Sequence, residues 1–420
     1  MLEVLIKAAI LLGGLMTAAA YFVLLERRMA AWVQDRIGPN RVGAPLSLLG
    51  LKDLRLWGLG QPAADGLKMI LKEEYTPAHV DRRLFVLAPL VILAAALAVF
   101  AVIPFGSLIP NEIFGYKFSS SPVQLTVAPG VDVGMIFVFA LSSIAVYGVI
   151  LGGWASNNKY SFLGGLRSSA QLIAYELPMG LGILGIALAA GSLNLDSIVA
   201  AQATDGWYAF LQPLGFVVFV VAAFAEAARL PFDLPECEQE LIGGYHTEYA
   251  GMKLLLFLVA EFMHMITASF LIVVLFFGGW SLPFGLTGSA GLEAGSDVVI
   301  TWPIALLRIA VLQGKIFLVI VFFMWVRWSW PRFRFDQLMN LAWKVMLPLG
   351  MVNLIALAVL YELRKINDPL ELSAGWGAIV IGGSWLVFAV AWLAMAAVNP
   401  LVTDNRPRLD LSSREVDSQI

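Results

Sequence analysis

A run of about 20 apolar residues leaves a chain few choices, because lipid offers no partner to an open backbone and only helices or closed barrels cross it. This sequence carries nine such runs, at roughly 3–25, 84–104, 131–152, 170–190, 208–226, 252–278, 303–326, 343–361 and 374–398. They are continuous rather than alternating, which argues against a β-barrel. The expectation is an all-α integral membrane protein of about nine transmembrane helices. Composition agrees: 60% of residues are hydrophobic and 14% charged, against about 45–50% and about 25% in a soluble domain. The 27 basic and 30 acidic residues nearly balance, so no basic field exists to hold nucleic acid. A single cysteine, Cys237, argues against a disulfide framework and against a cysteine-ligated cluster within the chain. His79, His246 and His264 are far apart in sequence, which speaks against an intrachain metal or haem.

The first run is not read as a cleaved signal peptide. It starts with Glu3 and Lys7 and leads directly into Glu26-Arg27-Arg28, with no small-residue cleavage site. Basic residues orient the spans. The first loop, 26–83, holds ten of them, including Arg27, Arg28, Arg36 and Arg41, and the seventh adds Arg327, Arg332, Arg334 and Lys344. The even loops are nearly bare, apart from Lys117 and the pair Arg364-Lys365. The odd loops are therefore expected in the cytoplasm, with the N-terminus periplasmic and the C-terminus cytoplasmic; Arg364 and Lys365 run against that topology. Within the first loop, residues 62–74 set Leu67, Met69, Ile70 and Leu71 among Lys68, Lys72 and Glu73. The pattern predicts a short amphipathic helix at the interface, and a solvated loop helix fits it equally well.

The acids are where a membrane chain should have few. Between Glu226 and Glu261 lie Asp233, Glu236, Glu238, Glu240 and Glu248, with Arg229 and Lys253 as the bases. Ionisable groups in or against a membrane are costly and mark ion or proton paths. Asp233-Leu-Pro-Glu236 also fits a helix start, with an aspartate cap and proline in the first turn. Capping does not explain Glu238, Glu240 and Glu248. Glu236 and Glu240 share a helical face, and crowded carboxylates cannot all ionise, so some stay protonated near neutrality. A solvated acidic loop is the rival reading. Glu176 lies inside the fourth run, two residues before Pro178, where freed backbone groups can serve a buried site. Arg308 and Lys315, two turns apart on the seventh run, can stack, snorkel or pair.

Five motifs in order then carry a resemblance. They are Glu26-Arg-Arg with Arg36-Ile-Gly-Pro-Asn-Arg-Val-Gly43; Gly152-Gly-Trp-Ala-Ser-Asn-Asn-Lys-Tyr160; Leu166-Arg-Ser-Ser-Ala-Gln171 with Tyr175-Glu176; Pro231-Phe-Asp-Leu-Pro-Glu-Cys-Glu-Gln-Glu240; and Pro331-Arg-Phe-Arg-Phe-Asp-Gln-Leu338. Together they resemble the family of membrane quinone-site subunits of the proton-pumping NADH–quinone oxidoreductase, respiratory complex I, collinearly over residues 1–362. Residues 46–60 look like an insertion. Residues 363–420 add a span and a tail to an eight-helix family core. The resemblance implies a membrane subunit that forms much of a quinone tunnel and joins a peripheral redox arm to an antiporter-like arm. It implies quinone as substrate and no cofactor bound by this chain, with FMN and iron–sulfur clusters in partner subunits. By analogy Arg27, Arg36, Tyr245 and Arg327 line or stabilise the tunnel. Glu176, Glu226, Asp233, Glu236, Glu238, Glu240 and Glu248 form a carboxylate path from quinone to pump. Arg332, Arg334 and Asp336 read as structural ties.

Three further readings are open: a homologous subunit of a membrane-bound hydrogenase or other ferredoxin-linked complex, a stand-alone proton-coupled transporter, and a scaffold. The intact Arg36–Gly43 motif and the acidic fifth loop favour the quinone enzyme. A transporter would favour two homologous halves, and neither half resembles the other. With no organellar presequence and an extended tail, a bacterial inner membrane is the expected location.

Overall fold

The computed structural model describes residues 2–43, 57–110, 112–113, 116–117, 123–234, 242–282, 301–367 and 374–398. The chain is helical, as expected. Among the described residues, eight helices are long and apolar enough to cross a membrane. They include α1 (Leu2–Val33), α3 (Arg82–Ala98), α4 (Gly134–Ala155) and α5 (Lys159–Ala190). Between α1 and α3 lies the short α2 (Gln61–Leu71). After α5 come two pieces, α6 (Leu195–Asp205) and α7 (Tyr208–Leu211), then α8 (Pro213–Glu226). The rest are α9 (Gly251–Phe276), α10 (Trp302–Ser329), α11 (Phe335–Asn340), α12 (Leu347–Asn367) and α13 (Ala374–Val398). Two-residue strands pair at 108–109 with 123–124 and at 112–113 with 116–117.

Helices outrun the apolar stretches that predict them. α1 has 32 residues, about 48 Å at 1.5 Å per residue, so its last turns extend past the bilayer core and carry Glu26, Arg27 and Arg28 in helical register. α5 likewise starts well before residue 170, capped by the Asn158 side chain on the Tyr160 N–H at 3.0 Å. It runs through Pro178 without ending. The run at 208–226 is the exception. Gln212 breaks it, Pro213 starts α8, and the 14 residues that follow rise only about 21 Å. The eight long helices therefore exclude this one, and the expected ninth span is a broken, shorter helix.

The helical stretch 335–367 is continuous, with a widened π turn at Leu341–Met346. Pro348 has no N–H to offer the carbonyl four residues back, and the wider turn accommodates its ring. α2 begins with Pro62 in its first turn and ends before Lys72, three residues short of the expected 62–74. Its Leu67, Ile70 and Leu71 face outward. Asp65 on α2 is tied back to Arg27 of α1 at 2.6 Å.

The core sits where α3, α4, α5, α8 and α9 meet. α9 is the most enclosed, buried continuously from Met265 to Phe276. Phe100, Phe219, Phe270 and Phe276 fill the centre. A smaller cluster beside it stacks Phe85 on Tyr249, ring centroids 4.0 Å apart. Lys315, on α10, folds its ammonium onto the carbonyls of Phe277, Gly279 and Ser281 at 2.6–2.9 Å, just past the end of α9. Arg308, two turns earlier, is 1% exposed.

Candidate functional site

The central polar feature is a cavity enclosed by α4, α5, α8 and α9. Glu176, Glu226, Tyr245, Glu261 and His264 all line it, with Ser142 and Ser168 between them and aliphatic walls around. The cavity volume is about 40 Å³, room for water beside the polar groups. A second, smaller space of about 10 Å³ adjoins it, sharing Ser142, Glu226 and His264. Neither lining includes a lysine or arginine.

Each acid has a hydroxyl partner. Ser142 donates to Glu226 Oε1, and its neighbour Ser143 donates to Glu176 Oε1. One serine pair on α4 thus serves two carboxyls from two other helices. The Tyr245 phenol donates to Glu261 Oε1 at 3.0 Å. Glu261 and His264 are three residues apart on α9, which puts both on one face. These are the contacts a proton chain needs: groups that can both give and take hydrogen bonds, with room for water between them.

Local packing explains the placement. Tyr245 sits on a short 3₁₀ turn, Gly244–His246, pressed against α5 at Gly164. A Cβ at Gly164 would lie 2.7 Å from the Tyr245 nitrogen, so only glycine lets the turn come close enough to aim its phenol at α9. At the other side of the cavity, Gln171 on α5 donates through Nε2 to the carbonyls of Ala225 and Phe232, both at 2.8 Å. This fixes the end of α8 and the turn that follows, and with them Glu226.

Other acids are held by cations or amides. Glu26, 9% exposed, accepts from Arg327 with Oε1, while Arg229 stands 3.6 Å from Oε2. The Arg229 guanidinium also lies 4.4 Å from the Phe262 ring centroid. This knot joins α1, α10 and the turn after α8. Asp233, 5% exposed, pairs with Arg332 at 3.2 Å. Glu248 accepts from Asn158 Nδ2 at 2.6 Å, beside the cap of α5.

The predicted site residues thus separate. Glu176, Glu226 and Tyr245 share the cavity. Glu248 and Asp233 are engaged elsewhere. Arg27 is bound to Asp65, Arg36 reaches its near neighbour Gln34, 2.7 Å away, and Arg327 belongs to the Glu26 knot. Glu236, Glu238 and Glu240 lie outside the described residues. Ser142, Ser143, Ser168 and His264 were not among the expected site residues, and Glu261 stood out only as an acid within an apolar run, with no role given to it. The Ser-Ser pair in mid-span and the three-residue spacing of Glu261 and His264 were the available signals.

The chain matches the NADH dehydrogenase family over residues 6–358. It is 45% identical to an NADH-quinone oxidoreductase subunit of Cytophaga hutchinsonii, across 80% of this chain and 90% of that protein. It is 42% identical to NADH-quinone oxidoreductase subunit 8 of Rhodothermus marinus, across 84% and 95%. It is 44% identical to NADH-quinone oxidoreductase subunit 8 of Thermus thermophilus, across 91% and 93%. That last match spans 381 residues and so reaches beyond residue 362, into the stretch read as an extension. This chain belongs to the NADH dehydrogenase family.

Proposed function

We propose that this chain is the quinone-side membrane subunit of an NADH–quinone oxidoreductase, and that its buried cavity carries protons in step with quinone reduction. The cavity itself is the observation that supports this reading. Three carboxyls, a phenol and an imidazole from four elements converge on a space with room for water and no lysine or arginine in its lining. A scaffold has no use for such a cluster, since buried ionisable groups are costly without a function. The names of the relatives supply the reaction: electrons pass from NADH to a quinone within a complex of several subunits.

In this reading Arg27, Arg36 and the Glu26–Arg327 knot line or brace the quinone tunnel, shared with a peripheral quinone-site subunit. Quinone is the substrate. FMN and iron–sulfur clusters belong to the partner subunits, and antiporter-like membrane subunits receive the coupling signal. Glu236, Glu238, Glu240 and Glu248 link the tunnel to the cavity, with Asp233 as the tie that holds their loop. Residues 1–362 form the functional unit, and 363–420 an added span and tail. The odd loops face the cytoplasm of a bacterial cell, the N-terminus the periplasm, and the broken helix α8 completes a ninth crossing. Among the described residues nothing favours the hydrogenase, transporter or scaffold readings over this one.

The test is the company the chain keeps. Extracted in mild detergent, it should travel on native gels and in gradients with flavin, iron–sulfur clusters and NADH-oxidising activity. A chain that migrates alone, free of flavin, overturns the proposal.

A further inference from the structure

A third, larger cavity lies away from these carboxyls. It occupies about 390 Å³, within the range of ligand pockets at about 300–1,000 Å³. Its sides are α1 and α10, its floor is α9 at Ile266 and Phe270, and its end is closed by residues 125–127. The sequence of α1 creates it. Lys7, Leu11, Gly14, Ala18 and Phe22 follow one another at helical spacing on the lining face, and two of them, Gly14 and Ala18, are small. A Cβ at Gly14 would meet nothing within 4 Å. Most of the inner wall is apolar and buried, with Leu15 5% exposed, Phe270 2% and Ile316 3%, and Gln313 and Thr126 are its uncharged polar members. The rim is open, with Ile10 at 71% exposed.

Charge appears only at one end. Lys7 lines the cavity and pairs with Glu3 one turn closer to the N-terminus, at 2.8 Å. The opening lies between α1 and α10, where the exposed rim residue Ile10 is apolar, so a hydrocarbon ligand fits it. We propose that this cavity is a phospholipid site, holding one acyl chain along α1 with the phosphate ester at Lys7. A lysine at the mouth selects an anionic ester over the neutral headgroup of a quinone, while a linear hydrocarbon matches the narrow apolar trough. The Glu3 carboxylate holds the ammonium at the rim when no phosphate is present. The site is independent of the proton cavity and does not rest on the function proposed above.

Photolabelling tests it on the intact complex in its own membrane. The probe is phosphatidylglycerol carrying a diazirine partway along one acyl chain, read by peptide mapping. The expected adducts fall on Leu15, Phe270 or Ile316. Gly14→Leu fills the trough, and each methylene it displaces should cut these adducts about fourfold, the equivalent of about 0.8 kcal/mol. Ala18→Leu, one turn along, is the second blocking variant and should act the same way. Lys7→Gln should weaken labelling by phosphatidylglycerol more than labelling by a diacylglycerol with the same diazirine chain. Unchanged adducts in both blocking variants, once native gels show an assembled complex, overturn the site. So does labelling of these residues by a quinone probe that phosphatidylglycerol fails to displace, or cross-linking of the trough to another polypeptide. Equal losses of both lipid probes in Lys7→Gln overturn the headgroup assignment.

Discussion

Glu26 and Glu226 both lie toward the end of a helix, Glu26 buried and Glu226 partly buried, and they are held in opposite ways. Two guanidiniums reach Glu26, from Arg229 and Arg327. Removing this carboxylate would leave the two guanidiniums without their shared partner, so it braces the fold. Glu226 has a serine hydroxyl, a second carboxyl in the same cavity, an imidazole nearby and room for water. Nothing there fixes its charge. The contrast teaches that intramembrane acids divide by their partners: an acid clamped by arginine braces the fold, and an acid among hydroxyls and water can carry a proton.

The largest effect should come from breaking the clamp. Glu26→Ala leaves two arginines without their shared carboxylate, and removing one partner of a buried pair costs about 3–5 kcal/mol. The complex should be lost or depleted on native gels, with NADH oxidation in membranes falling toward quinone and toward a water-soluble acceptor alike. Full assembly with normal activity would show that the knot braces nothing.

Arg36→Ala is expected to be more selective. Among the described residues the Arg36 side chain bonds Gln34 alone, which leaves most of its guanidinium for a ligand. Losing a charge-assisted hydrogen bond of about 1.5–3 kcal/mol lowers quinone reduction by about tenfold or more and shifts inhibitor sensitivity, while transfer to a water-soluble acceptor survives. Equal loss toward both acceptors would move Arg36 to the bracing class.

Tyr245→Phe removes one donor from Glu261 and keeps the ring packing against Phe257. A typical hydrogen bond contributes about 1 kcal/mol, so quinone-linked turnover should drop about fivefold with assembly intact. Glu248→Gln should do least. The amide oxygen still accepts from Asn158, and turnover should stay within about twofold of wild type, as for most changes away from buried networks. A larger loss at Glu248 than at Tyr245 would reverse their places in the path.

Much of the fold was legible because bilayer thickness imposes length. Eight apolar runs gave long helices, and the ninth is shortened at a place the sequence marks, the Gln212-Pro213 break. What apolar counting misses is where a helix ends once it leaves lipid, since polar turns such as Glu26–Val33 and Lys159–Gly165 remain helical without being apolar. The site was legible in part. Glu176 and Glu226 stand out as acids in apolar runs, whereas Ser142 and Ser143 are ordinary residues in a membrane helix and matter only because α5 and α8 bring carboxyls to them. The carboxyls of Asp233 and Glu248 look equivalent to those in sequence; the long-range partners Arg332 and Asn158, 99 and 90 residues away, set them apart. Tyr245 was expected at the quinone, and the turn against Gly164 points its phenol at Glu261.

The central claim is that Glu176 and Glu226 move protons while Glu26 does not. The most direct measurement is proton uptake alongside quinone reduction in proteoliposomes carrying the assembled complex with Glu176→Gln or Glu226→Gln. Glutamine keeps the size and the serine hydrogen bond but cannot titrate. Pumping and quinone-linked turnover should fall together, by about tenfold or more (about 1.4 kcal/mol), with electron transfer to a water-soluble acceptor unchanged. Wild-type pumping and wild-type turnover in both variants would contradict the account and leave the cavity carboxyls as packing groups.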